Sequence, residues 1–224
     1  RAFVKEFLKN EKIKSVITLS RRANTIDCGK LIHFNIDLED NDSIKTCSDK
    51  VSKIVKNLRL IVIATGVLHF DKFMPEKTLK SLNPDMILKN FHVNAIGPSM
   101  IIKYFFNFLE KKQKTVIACL SAKIGSIDDN RLGGWFSYRA SKAALNMLLK
   151  TSSIELFRTN PKNICLALHP GTVDTNLSRP FQKNIIDKKF SPKYSVGKML
   201  SVIDKAELKD NGSFFSWDGS KIKY

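Results

Sequence analysis

What the 224-residue chain lacks narrows its function before any motif does. No apolar run approaches the roughly 20 residues a helix needs to cross a bilayer, so no membrane span is expected. The opening stretch, RAFVKEFLKN, has no initiator Met and none of the charged, apolar and small-residue segments of a secretion signal. A cytoplasmic protein is the expectation. The four cysteines (Cys28, Cys47, Cys119, Cys165) lie far apart without CxxC spacing, which suits reduced thiols rather than a disulfide framework. The four histidines (His33, His69, His92, His169) are equally scattered, so no metal site is expected. Acidic residues are short, 21 against 38 basic, for a net charge of +17. The basic residues are spread along the chain, and the densest cluster is EKKQK at 110–114. That argues for a lysine-rich solvated surface and against a nucleic-acid partner, although such a surface would favour an anionic ligand.

What is present is an alternation. Short β-rich runs at 15–20, 31–36, 60–64, 115–120, 164–168 and 213–217 read as strands, several of them continuously apolar. Longer helical patterns fall at 1–9, 43–57 (after Asp42 as N-cap), 84–109, 135–158 and 192–206. Strand–helix alternation with strands apolar on both faces points to an α/β fold with a parallel sheet. No repeat, linker or composition break divides the chain, so one domain over 1–224 is expected. The first helix has no strand before it, whereas a βαβ fold opens with strand and turn.

The chemistry concentrates in SYRASKAALNML, residues 137–148. Tyr138 and Lys142 are four apart and share a helix face. A free phenol titrates near pH 10, and an ammonium within about 4–6 Å favours its ionised form. Such a pair can pass a proton near neutral pH, which carbonyl reduction requires while hydride arrives at carbon. Alone, YxxxK is a weak signal in a lysine-rich chain. Upstream, CLSAKIGS (119–126) sits where a strand ends, placing Ser121 at the carboxyl edge of the sheet, where open α/β sheets bind ligands.

The combination of a strand, SAKIGS and YRASKAALNML resembles the short-chain dehydrogenase/reductase family, and within it the C-factor and sniffer-like carbonyl reductase branch. IATGVLH (63–69), HVNAIGP (92–98), LHPGTVDT (168–175) and FFSWDG (214–219) follow in the family's order. The resemblance implies a Rossmann-type doubly wound sheet and an NADP(H)-dependent interconversion of carbonyl and alcohol. Tyr138 would be the acid/base, and Lys142 would lower its pKa and bind the nicotinamide ribose. Ser121 would orient the carbonyl, and Asn94 would hold a water relay to Lys142. Thr65 and Gly66 would pass under the adenosine ribose. Pro170, Gly171, Val173 and Thr175 would lie by the carboxamide and phosphates.

Three departures qualify the match. The family's serine pair is Ser121-Ala122 here, so Ser121 or Ser126 must serve. NNAG has become IATG. The glycine-rich TGxxxGIG turn and the strand before it do not appear, so an N-terminally truncated sequence is expected. In the family's strand order, 3-2-1-4-5-6-7, the lost strand is central. Two bare edges and weak cofactor binding would follow.

The strand at 15–20 ends in Ser20-Arg21-Arg22 with no acid. Arg21 would therefore meet a 2′-phosphate, favouring NADP(H) over NAD(H). Asp37 resembles the family's adenine-side aspartate. The C-factor likeness also allows a cofactor-sensing or signalling protein with little turnover. Segment 176–197 reads as a substrate lid with Phe181, Phe190 and Tyr194 as an apolar wall. The resemblance implies pairing of two copies as a homodimer through the helices at 84–109 and 135–158, where Ala140, Ala143 and Ala144 permit close packing, although the same residues also suit helix-on-sheet contact within one chain.

Overall fold

The Val/Ile/Leu-rich runs become parallel strands because helices cover both of their faces. A computed structural model describes residues 1–23, 25–184 and 189–224. In chain order the elements are α1 (Ala2–Lys9), β1 (Val16–Ser20), β2 (Leu31–Asn35), α2 (Asn41–Ser52), β3 (Leu60–Ile63), α3 (Pro84–Phe91), α4 (Gly97–Phe105), β4 (Thr115–Leu120), α5 (Phe136–Thr159), β5 (Asn163–His169), α6 (Pro192–Lys205) and β6 (Ser213–Ser216).

β1 and β2 form a two-stranded parallel sheet, and β3-β4-β5-β6 form a four-stranded parallel sheet in sequence order. The two bare edges expected from the sequence are present: among the described residues β1 bonds only to β2, and β3 only to β4. Side chains of both sheets nevertheless share one core. Ile17, Leu19, Phe34 and Ile36 pack in the same cluster as Ile61, Ile63, Ile117, Cys165 and Leu149 of α5. The opposite pleat face, with Val116, Ala118, Ile164, Leu166 and Leu168, packs beneath Val196, Met199 and Ile203 of α6. The architecture is a doubly wound, Rossmann-type α/β domain. Among the described residues, no helix is long and apolar enough to cross a membrane.

Two helices differ from the sequence reading. The cap of α2 is Asp40, whose carboxylate accepts from the N–H groups of Asp42 (2.9 Å) and Ser43 (3.2 Å), so the helix starts earlier than Asp42 as cap would allow. It stops at Ser52, short of 57. The Val51 carbonyl accepts from both Ile54 and Val55, and the chain then turns so that Leu58 N–H meets Phe108 O at 2.6 Å. The long helix expected over 84–109 is α3, a π-helical turn (His92–Ile96), α4 and a final 3-10 turn (Phe106–Phe108). Asn94 occupies the widened turn. The remaining boundaries move by one or two residues, as frayed ends do.

Candidate active site

The buried stripe of α5 changes character along its length. Tyr138, Ser141, Lys142 and Asn146 lie in its first half, over the carboxyl ends of the strands; Leu149, Ser153 and Leu156 lie in the second half. Tyr138 and Lys142 are 7% and 3% exposed. Lys142 Nζ donates to Leu120 O, the last residue of β4, at 2.9 Å, and stands 5.8 Å from the centre of the Tyr138 ring. Gly125 permits this closeness, since a Cβ there would fall 2.7 Å from Lys142 Cβ. The loop after β4 therefore lies directly against α5 at the lysine.

Asn94 joins the loop after β3 to α5. Its Oδ1 accepts from Val67 N–H at 2.8 Å, and its amide nitrogen faces Val67 O (2.8 Å), Asn90 Oδ1 (3.1 Å) and Ser141 Oγ (3.0 Å). Ser141 Oγ in turn donates to Tyr138 O at 2.9 Å. A Cβ on Gly66 would sit 3.5 Å from Asn94 Oδ1 and 3.6 Å from Lys142 Nζ, so Gly66, Asn94 and Lys142 meet at one point. Thr65 and Gly66 are exposed there.

Burial dominates the titration of the pair. Desolvation holds the Tyr138 phenol above its ordinary range. It also lowers Lys142 to about 8, with Cys119 opposing. The expected lowering of the phenol by Lys142 is not what this arrangement produces, because the amine is aimed at Leu120 O and the ring is out of water. An ammonium carries three N–H donors. Leu120 O takes one, and the Tyr138 hydroxyl has no hydrogen-bond partner among the described residues.

The two candidate serines differ in what they touch. Ser121 Oγ donates to Asn146 Oδ1 at 2.6 Å, within the polar stripe of α5. Ser126 Oγ accepts from Asp129 N–H at 3.2 Å and so serves its own turn. Asn146 was not singled out from the sequence, although it lies four residues beyond Lys142, the same interval that separates Tyr138 from Lys142.

The turn after β5 is closely packed. Gly171 has φ +74°, and a Cβ there would meet the Phe190 ring at 2.6 Å and Trp217 at 2.9 Å. Pro170 O accepts from Ser195 Oγ at 2.6 Å. Val173 O accepts from Ser178 Oγ at 2.5 Å, and Thr175 N–H donates to Ser178 Oγ at 3.3 Å. His169, at the end of β5, has a buried Nδ1 without a partner among the described residues, and desolvation lowers its pKa to about 4.

The aromatic residues of the expected lid part company. Phe181 packs on Trp135 (4.9 Å between centres), which meets Tyr138 edge-on at 6.4 Å, and His69 flanks Phe181 at 5.8 Å. Phe190 and Tyr194 instead pack against Trp217, at 4.5 and 6.0 Å. Residues 185–188 of the expected lid lie outside the described residues.

Just after β1 of the two-stranded sheet, Arg21 is exposed, with Nη1 3.9 Å from Glu39 Oε2. Glu39 is held more tightly by Lys89, at 2.6 and 2.8 Å. Asp37 Oδ1 accepts from Glu39 N–H at 3.0 Å. The sequence reading found no acid near Arg21; Glu39 is brought there by the loop after β2.

A profile of the short chain dehydrogenase family matches residues 3–185. The chain belongs to that family of oxidoreductases. This short-chain dehydrogenase is 31% identical to the C-signal protein of Myxococcus xanthus over 137 residues, covering 61% of this chain and 77% of that one. Its fold is similar to that of an NADPH-bound carbonyl reductase from chicken fatty liver, with TM-score 0.83 and 25% identity over 100% of this chain and 93% of the other. It is also similar in fold to the carbonyl reductase Sniffer of D. melanogaster, with TM-score 0.87 and 22% identity over 100% and 94% of the two chains.

Proposed function

We propose that this short-chain dehydrogenase interconverts a carbonyl and an alcohol with NADP(H), using Tyr138 as the acid/base. The observation that carries the reading is the buried Tyr138–Lys142 pair at the carboxyl edge of β4, where the phenol hydroxyl has no hydrogen-bond partner among the described residues and the amine has donors to spare. The residues present fit the nicotinamide and ribose side of a dinucleotide, whereas the glycine-rich turn that would cradle the pyrophosphate does not appear among them. Lys142 would donate to its ribose hydroxyls, exposed Thr65 and Gly66 would pass beneath the adenosine side, and the turn from Pro170 through Val173 to Thr175 would face the carboxamide and phosphates. When bound, the cofactor supplies or takes up hydride at the carbonyl carbon. Tyr138 gives a proton to the carbonyl oxygen, or accepts it in the reverse direction. Asn146 ties Ser121 to the same buried stripe of α5 that carries the pair, whereas Ser126 serves its own turn, which favours Ser121 as the group that polarises the carbonyl. Asn94 holds α5 and the loop after β3 in register. Trp135 packs on Tyr138 and Phe181, and His69 on Phe181, so these rings would offer a substrate at Tyr138 an aromatic wall.

Arg21 and the NADPH bound by the chicken carbonyl reductase support NADP(H) as the cofactor. Oxidation of NADPH against a panel of aldehydes and ketones tests the reading. Turnover of at least one carbonyl, slower with NADH, is expected. Tight NADPH binding with no turnover of any of them would instead favour a cofactor-sensing or signalling role, and the similarity to C-signal supports the signalling part of that alternative.

A further inference from the structure

We propose that Glu76 is a positioning residue for Tyr138, acting as a helix cap supplied from outside the helix. The proposal rests on the reading of Tyr138 as acid/base. α5 begins at Phe136, so Ser137 and Tyr138 belong to its first turn. The N–H groups of a first turn have no acceptor within the helix. Trp135 occupies the cap position without any capping side chain, and its φ is +52°, after Gly133 and Gly134 at +64° and +65°. Left-handed backbone at a tryptophan persists only where its surroundings impose it.

Glu76 imposes it from 61 residues away. Its Oε2 accepts from Ser137 N–H at 3.2 Å, its Oε1 accepts from the Ser137 hydroxyl, and its main-chain carbonyl accepts from Trp135 N–H at 2.5 Å. Arg139 grips the same turn from the other side, donating to Gly134 O (3.0 Å) and Gly133 O (3.1 Å). Glu76 is 3% exposed, and among the described residues no Lys, Arg or His forms an ion pair with it. A buried acid ordinarily has a cation partner. The hydrogen bonds of this one all go to the start of α5, where the helix dipole favours negative charge. The effect reaches the chemistry through the backbone, because Ser137 precedes Tyr138 directly. Misplacing a reacting group by about 1 Å can cost on the order of a hundredfold in rate.

The test compares Glu76→Ala, Glu76→Gln and Tyr138→Phe, singly and combined, with NADPH and benzaldehyde or the best aldehyde of the panel. Turnover is measured at saturation, together with amide hydrogen exchange along α5. Glu76→Ala should lower kcat at least tenfold, with the KM for NADPH within twofold. Glu76→Gln, which still accepts from Ser137, should recover most of the loss. In the Tyr138→Phe background, Glu76→Ala should change the residual rate less than twofold, because the residue it positions is gone. The Ser137 and Tyr138 amides should exchange faster in Glu76→Ala, with residues 150–156 unchanged. An undiminished kcat, an equal proportional loss in both backgrounds, or faster exchange along the whole helix would overturn the proposal. If Glu76→Ala does not fold, Glu76→Asp decides. It keeps the charge but withdraws the carboxylate from Ser137, and full turnover in that variant overturns the proposal. Full turnover in Tyr138→Phe would instead defeat the functional reading, with Ser137 exchange still judging the clamp.

Discussion

The two sheets of this short-chain dehydrogenase are built alike and buried very differently. In the four-stranded sheet, Ile117, Ala118, Cys119 and all of Ile164–Leu168 are 0% exposed. In the two-stranded sheet only Val16 is buried, and Ile32 of β2 is 37% exposed. A parallel strand needs cover on both faces and partners on both edges. β4 and β5 have both, whereas β1 and β2 share the core through one face, and among the described residues no other strand pairs with β1. Tyr138, Lys142, Ser121 and Asn146 are all anchored to the thick sheet or to the helix packed on it. Arg21 and Asp37, which the sequence places at the 2′-phosphate and adenine side of the cofactor, follow the strands of the thin one. The groups that need fixed geometry thus stand on the part with the most buried apolar surface, and local opening is expected to begin in the other part.

Truncation in the two sheets gives the largest contrast. Leu166→Ala, at a wholly buried position of β5, should cost roughly 2–5 kcal/mol in urea unfolding. Leu19→Ala, at a partly buried position of β1, should cost less than half as much. Equal losses would break the comparison.

Next in size is a pH effect from the thick side. Lys142 titrates at about 8 when folded, below the ordinary 10.5 of the unfolded chain. Below pH 8 both states are protonated, and the folded state carries the full cost of the buried charge. Between pH 8 and 10.5 the unfolded state binds more protons, so stability rises with pH. Relative to Lys142→Met, the protein should gain on the order of 1–3 kcal/mol across that window. A flat difference curve would show that Lys142 is not desolvated.

The smallest effect belongs to the thin side. Arg21→Gln should weaken NADPH binding by roughly three- to tenfold, the worth of an exposed ionic contact, and leave NADH binding unchanged. An equal effect on both cofactors would remove Arg21 from the 2′-phosphate.

Sequence reading went furthest where the signal is local. Every strand was found within two residues of its ends, because continuous apolar runs of this length suit covered parallel strands. Tyr138 and Lys142 stood out because four residues separate them on one helix. What the sequence hid is long-range. Glu76 and Ser137 are 61 residues apart, and Ser121 and Asn146 are 25 apart, so neither pair leaves a spacing to read. The π-helical turn at 92–96 was hidden because apolar periodicity runs through it almost undisturbed. The cap of α2 was misplaced because DLEDND offers several carboxylates, and only Asp40 turns its oxygen back to the free N–H groups. Phe190 and Tyr194, in the segment expected to be a lid, both pack against Trp217, Phe190 in the space that Gly171 leaves open, a long-range contact with no spacing to read.

The central claim is that the Tyr138 hydroxyl delivers the proton at the carboxyl edge of β4. Its most direct test is kcat for NADPH oxidation by Tyr138→Phe, with NADPH Kd measured alongside. The account predicts a fall of about 10²–10⁴-fold at unchanged Kd. A kcat equal to that of the parent would contradict it.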